Sequence, residues 1–389
     1  MIVYPFSFIK SSTDVALSNS VAPLLDVITN ASSGNFTDFG NPVDESKYLN
    51  VSSGSWFGSP TSFNYQWFRN STDTFSGGVT ISGYTSATYS LRWVDVGQYV
   101  YCQVTAIKGA DSVIAGSDFR YVFDYDYYEN LQTIDATSIT SIRPYDYLEL
   151  ISKQNLLMVE LKNYNIWDKL DAFFVFASPG NEYYAMQNWK DPQASIYGYP
   201  YNDGCTYTDL IGFQGGSDPM FSPPYAFNLN TGFNPEDHGV NYTQDDASRF
   251  FFPATFSDAS NYPMDGMNGD DVINTMWTGN SSENNRINTD QSLNSAFNFD
   301  RHLLNAKSIH RTSGSAVTLY NGGSSASRTA TSVGGKLVNG DMLILRERDT
   351  ESLHTVAAYA LGSSLVAEAV DFNAVWNRYA IAIGIPGYQ

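Results

Sequence analysis

Cysteine is nearly absent from this chain: Cys102 and Cys205 are the only two in 389 residues. A secreted chain of this length and class would often carry more, because an oxidising compartment lets disulfides support the fold. Positive charge is also scarce, with 21 Lys and Arg against 40 Asp and Glu and a net charge of −19. Such a surface repels phosphate backbones and anionic headgroups, which argues against nucleic acid and an anionic membrane as partners. Long apolar runs are missing as well, and nothing approaches the ~20 residues of a membrane span. The opening "MIVYPFSFIKSSTD" has no basic leader, and Pro5 interrupts its apolar residues. The expectation is therefore a chain without a secretory signal that folds in a reducing cytoplasm. The four histidines, His238, His302, His310 and His354, are scattered and show no zinc-like spacing. Neither a glycine-rich phosphate loop nor a nucleophile elbow occurs.

What the chain has in abundance is aromatics, with 27 Tyr, 24 Phe and 7 Trp, together with 30 Gly and 15 Pro to turn it. Aromatic and β-branched residues fit pleated, half-buried surfaces, so the composition predicts a mostly β protein. The length allows two or three domains. From Tyr48 to Ala106 turn signals recur at short intervals. "FNYQWFRN" alternates, with Phe63, Tyr65 and Trp67 on one face. In "VDVGQYVYCQVTAI", Tyr99, Tyr101 and Gln103 should face one way and Val100, Cys102 and Val104 the other. Short strands with such punctuation predict a sandwich or barrel.

Four pieces recur in a recognisable order here: Gly54-Ser55-Trp56, Tyr65-Gln66-Trp67, Asp95-Val96-Gly97-Gln98-Tyr99 and Cys102-Gln103-Val104-Thr105-Ala106. Together they resemble the immunoglobulin-like modules of bacterial surface proteins and phage structural proteins. The resemblance implies an immunoglobulin-like β-sandwich over residues 45–125, with Trp56, Trp67, Tyr99 and Cys102 in its structural core. The early cysteine of the immunoglobulin pattern is missing. Trp56 is expected to fill the space of the lost disulfide, and Tyr99 to act as a tyrosine corner.

Residues 126–389 read as a larger sheet domain. "YLELISKQNLLMVELKN" has near-helical apolar spacing, and "DAFFVFA" reads as a buried strand. "SSLVAEAVDFNAVWNRYAIAIG" predicts a second helix, capped by Ser363 or Ser364, with Val366, Val370, Phe372, Val375 and Tyr379 as its apolar stripe and Gly384 as its stop. "LYNGG" predicts a hairpin. The pieces "IWDKLDAFFVFA", "NW", "GFQGG", "NTGFNP…NYTQDDAS", "SIHRTSGSAVTLYNGG" and "AAYALGSSL" resemble, in order, the concanavalin A-like (laminin-G-like) domains of tailed-phage structural proteins. The fold class expected is therefore all-β and multidomain: an immunoglobulin-like sandwich, then a concanavalin A-like jelly-roll sandwich with two peripheral helices.

Concanavalin-like folds carry both lectins and glycosidases, so the residues must decide. "LRERDTES" places Glu347, Asp349 and Glu351 at alternating positions. On one strand these carboxylates would share a face, as retaining hydrolysis in one glucanase family requires. The intervening residues, Arg348 and Thr350, are polar rather than apolar, which favours an exposed segment and no catalytic residue. "MDGMNGDDV" offers Asp265, Asp270 and Asp271 among glycines as a candidate calcium loop, although the spacing matches no EF-hand. No other cofactor is expected. Trp189, Tyr197, Tyr199, Tyr201, Tyr225 and Trp277 are the aromatics that can stack on sugar rings if exposed.

The double resemblance implies a non-enzymatic virion protein of a tailed phage, a fibre or capsid decoration, folded in the host cytoplasm and displayed on the particle. Residues 1–44, apolar at the start and polar after, are expected to form an arm that docks on other virion proteins. The C-terminal domain is expected to face host-surface glycans, in a homo-oligomer whose multivalency strengthens weak contacts.

Overall fold

In the computed structural model, residues 18–21, 25–28, 43–44, 48–125, 144–178, 182–192, 200–218, 225–256, 263–267, 273–277, 285–289, 304–332, 337, 339–347 and 350–388 are described. The chain forms two compact units, 1–128 and 129–389. Both are built on β-sheets, as the composition predicts.

The first unit runs through Ser18–Val21 (β1), Leu25–Ile28 (β2), Val43–Asp44 (β3), Tyr48–Val51 (β4), Ser55–Phe57 (β5) and Ser62–Asn70 (β6). It continues through Val79–Thr80 (β7), Thr88–Ser90 (β8), Tyr99–Lys108 (β9), Asp111–Gly116 (β10) and Arg120–Phe123 (β11). One sheet has the order β3-β11-β9-β6-β7, with β10 also on β9; a second has the order β2-β4-β8; β1 and β5 form a ribbon. Where it is described, the segment expected to be a separate arm contributes β1, β2 and β3 to these sheets. Backbone pairing with β4, β5 and β11 is what draws it in. The apolar opening Met1–Lys10 lies outside the described residues.

Alternation along β9 is as expected: Val100, Cys102, Val104 and Ala106 are buried between the sheets. Trp67 stands opposite Cys102 in the β6–β9 register and is fully buried, stacked on Tyr89 at 5.4 Å. This corrects the expectation for Trp56. Its indole lies half-buried against Phe63 on the β1–β5 ribbon and donates to the Ser53 carbonyl at 2.6 Å. Trp67 and Tyr89, not Trp56, supply the bulk beside Cys102. Tyr99 is corrected too. It faces away from the core, half-buried and edge-on to Tyr121 at 5.1 Å. The tie anticipated from it is made by Tyr89, whose hydroxyl donates to the buried Asp95 carboxylate at 2.6 Å. Asp95 also accepts from the Arg92 amide and pairs with Arg69 at 2.8 Å. The outer face of β9 carries its own aromatic cover, with Tyr101 packed among Phe68, Phe75 and Phe119.

Both thiols are free and buried. Burial pushes Cys102 up to about 12 and raises Cys205 as well, so neither is a thiolate at neutral pH. Neither cysteine should react with a thiol reagent at pH 8 in the native chain, and both should react in denaturant. A fast-reacting native thiol would show that one of the two sites opens to solvent.

The second unit begins with Pro144–Asn163 (α1), Leu170–Val175 (β12), Glu182–Ala185 (α2), Tyr201–Asp203 (β13), Thr206–Thr208 (β14), Gly212–Gln214 (β15), Ser217–Asp218 (β16) and Tyr225–Ala226 (β17). Asn228–Asn230 (β18), Pro235–His238 (α3), Ala247–Thr255 (β19), Pro263–Met267 (β20), Ile273–Trp277 (β21), Arg286–Thr289 (β22) and Lys307–Arg311 (β23) follow. The last elements are Ala316–Asn321 (β24), Ser324–Thr329 (β25), Met342–Ile344 (β26), Arg346–Glu347 (β27), Thr350–Glu351 (β28), Thr355–Gly362 (β29) and Ala369–Ile383 (α4). One large sheet has the order β14-β15-β29-β19-β23-β24-β25, with β12 also on β29. The other has the order β13-β18-β26-β20-β21-β22. Phe174, Phe213, Phe251, Met264, Met276, Ile309 and Tyr359 belong to one buried cluster that joins residues of both.

Helices α1 and α4 stand where the sequence places them. Phe372 of α4 packs on Phe173, Phe250 and Phe252 of the large sheet. Arg378 pairs with Glu160 of α1 at 3.0 Å. Gly384 ends α4 at φ 81, a left-handed cap that costs glycine little. The start differs from expectation: Glu368 is the N-cap, and the Ser363 and Ser364 amides donate instead to Lys169 and Asp246. The hairpin predicted from "LYNGG" forms between β24 and β25. Asn321 pairs with Ser324, leaving Gly322-Gly323 as the turn, with φ 63 at Gly322.

Candidate functional site

A cavity of about 390 Å³ opens in the second unit between α2 with its following segment and β13. That volume lies within the ~300–1,000 Å³ of small-ligand clefts. Its lining comes from two stretches, Glu182–Pro192 and Pro200–Asn202. The first is fixed from beneath. Gln154 of α1 donates to Ser178 at 3.0 Å and accepts from the Tyr184 hydroxyl at 2.6 Å, anchoring α2. The Asn188 side-chain oxygen accepts from the Phe173 and Lys190 amides, and the Trp189 amide donates to the Phe173 carbonyl. These bonds strap the segment along β12.

The second stretch is fixed by Asn202. Its amide nitrogen donates to Glu182 Oε1 and to the Cys205 carbonyl, both at 2.8 Å, and its oxygen accepts from the Cys205 amide. Asn202 thus closes the "NDGC" turn and ties β13 to α2. The Tyr201 phenol oxygen accepts from Asn230 at 3.2 Å, which holds the ring in place.

Two aromatic rings flank the opening: Tyr183 is 83% exposed and Tyr201 54%. Met186, Pro192 and Pro200 add apolar wall, and Glu182 and Asp191 supply carboxylates. Asn188 is only 3% exposed, yet its Nδ2 has no hydrogen-bond partner. The neighbouring Gln187 Oε1 is also unpaired. A buried amide donor left unmade costs about 1–3 kcal/mol.

Of the sequence-predicted aromatics among the described residues, Tyr201 alone is placed at the cavity. Trp189 is 3% exposed, edge-on to Phe173 at 5.6 Å, and Trp277 is 9% exposed; both are corrected from candidate sugar platforms to core residues. Tyr197 and Tyr199 lie outside the described residues. Tyr225 is on β17, paired with Asp218 across the β16–β17 ribbon. Sequence reasoning missed Tyr183, Asn188 and Gln187. The only signal was the pair Tyr183-Tyr184, of which one ring is buried and one exposed.

The calcium reading fails for Asp265, which is fully buried. Its Oδ1 accepts from Arg249 at 2.7 Å and its Oδ2 from the Tyr359 hydroxyl at 2.6 Å, leaving no place for a cation. Asp270 and Asp271 lie outside the described residues. No cluster of three or more His, Cys, Asp or Glu is placed to hold a metal among the described residues. The carboxylates of "LRERDTES" do not line up on one strand. The backbone reverses, pairing Glu347 with Thr350 and Arg346 with Glu351, and Asp349 lies outside the described residues. His238 accepts from the Asn234 amide at 2.9 Å and helps close α3, and His302 is not described. No helix among the described residues is long and apolar enough to cross a membrane.

No protein family matches the chain. No curated protein matches it. Among solved structures, domain 4 of the extracellular arabinanase AbnA from Geobacillus stearothermophilus, in complex with arabinotriose, is 12% identical with a TM-score of 0.30. The match covers 53% of this chain and 98% of that one. A Trypanosoma rangeli sialidase in complex with a difluorinated nonulosonic acid is 7% identical with a TM-score of 0.39. It is matched over 72% of this chain and 43% of its own. Likenesses this loose carry nothing about activity.

Proposed function

We propose that this chain is a non-enzymatic saccharide-binding protein whose ligand sits in the cavity between α2 and β13. The observation that carries the reading is the pairing of two exposed tyrosine rings, Tyr183 and Tyr201, with a buried, unpartnered amide at Asn188. A sugar ring offers a face of C–H bonds that packs on the negative face of an aromatic ring. Its hydroxyls can accept from Asn188 Nδ2 and donate to Glu182, Asp191 and Gln187. Those groups are set before the ligand arrives, which lowers the ordering cost of binding.

The motifs of both units support placing this module on the surface of a tailed-phage virion, carried as one of many copies. Free, buried cysteines fit that setting, because the fold needs no oxidising compartment. Weak binding at each cavity would then gain from multivalency.

Titration of the full chain with oligosaccharides by calorimetry, with an array screen to choose them, tests the reading. Tyr201→Ala should weaken binding about tenfold or more while the thermal transition falls only slightly, since the side chain is half exposed and gives up one hydrogen bond, to Asn230. Binding that ignores Tyr201 would sink the assignment to this cavity. Release of reducing ends, lost in Glu182→Gln, would replace the non-enzymatic reading with a hydrolase.

A further inference from the structure

We infer that the cavity selects by charge, accepting electrically neutral saccharides and rejecting those that carry carboxylates, such as uronate- and sialate-type sugars. The inference rests on the saccharide-binding reading and adds the ligand class. Among the described residues of the lining the charged side chains are Glu182 and Asp191, with no Lys, Arg or His. Lys190, next in sequence to the lining residue Asp191, is engaged elsewhere: its Nζ donates to the Trp167 carbonyl at 3.0 Å and lies 4.2 Å from the centre of that indole.

The sequence that follows Lys190 carries the same bias. Between Lys190 and Arg249 no Lys or Arg occurs, while Asp191, Asp203, Asp209, Asp218, Glu236, Asp237, Asp245 and Asp246 fall in that span. Recognition of a carboxylate ordinarily uses an Arg fork or several converging N–H donors. Among the described lining residues the buried donor left unpaired is Asn188 Nδ2, and the charges are two carboxylates. A second negative charge brought within a few ångströms of them meets repulsion and loses its water without compensation. Neutral hydroxyls meet the opposite situation, since the carboxylates are acceptors for them and Asn188 is a donor.

The test uses the full chain and matched pairs of oligosaccharides, one neutral and one bearing a uronate or sialate residue, at low and high ionic strength. The neutral member should bind and the acidic member should bind about tenfold or more weakly at low salt. The gap should narrow at high salt and again in Glu182→Gln, which keeps the shape that holds Asn202. Acidic saccharides that bind equally or more tightly, with affinity lost in Tyr201→Ala, would overturn the charge selection and leave the cavity as the saccharide site. Failure of every saccharide, or binding indifferent to Tyr201, would overturn the saccharide reading itself.

Discussion

Asp265→Ala should destabilise the second unit by about 3–5 kcal/mol, the cost of stripping the partner from a buried charge. Arg249 and Asp265 are both fully buried and 2.7 Å apart. Arg249 belongs to β19 in the large sheet, and Asp265 to β20 in the other, so the pair joins the two. Tyr359 on β29 donates to the second carboxylate oxygen, and the guanidinium also donates to the Thr275 and Arg286 carbonyls. Without Asp265 the guanidinium keeps its carbonyls but has lost its counter-charge. A loss of that size is a large part of the ~5–15 kcal/mol that holds a typical domain folded. Replacing both partners with apolar residues, as in Arg249→Met with Asp265→Leu, should recover most of it, because neither charge then needs solvation. Urea unfolding of the parent, the single variant and the double variant measures this. A single variant within about 1 kcal/mol of the parent would show that water reaches the pair.

The same carboxylate shows where sequence reading stops. Asp265 sits among glycines and reads as a wet loop, because its partners Arg249 and Tyr359 are 16 and 94 residues away. Nothing local announces a buried pair. By contrast, β9 was legible residue by residue, since a strand with one buried face must alternate. Even there the second face was hidden: Phe75 and Phe119 come from outside the strand to cover Tyr101. Gly384 was legible because a left-handed cap is a backbone requirement that few residues meet. The sugar-stacking candidates were not, since in a chain so rich in tyrosine an aromatic residue carries no mark of exposure. Trp189 is buried, edge-on to Phe173, while adjacent tyrosines at 183 and 184 have opposite fates. "LRERDTES" has the same alternation whether it runs as one strand or folds back. Only the pairing of Glu347 with Thr350 decides.

Acidification from pH 7 to 5 should cost the second unit about 4 kcal/mol, through two buried histidines. Burial pushes His310 and His354 each down to about 3, because a charged imidazole would lose its water inside the unit. His310 accepts or donates at Ser308 Oγ, 2.8 Å away, and lies edge-on between Phe250 and Tyr320; His354 lies edge-on to Phe256. In the unfolded chain both return to an ordinary value near 6.5. The sign follows from the protons bound. Below about 6.5 the unfolded chain takes up protons that the folded one refuses, so stability is full above that value and falls with pH down to about 3. Each histidine contributes a slope of up to about 1.4 kcal/mol per pH unit, and the two together contribute about twice that. Above pH 5 most carboxylates are still ionised, so that interval isolates the imidazoles. His310→Gln can keep the bond to Ser308 and should remove about half of the loss. Thermal melts of parent and variant at pH 7, 6 and 5 measure it. Equal slopes would mean that His310 takes up its proton without unfolding.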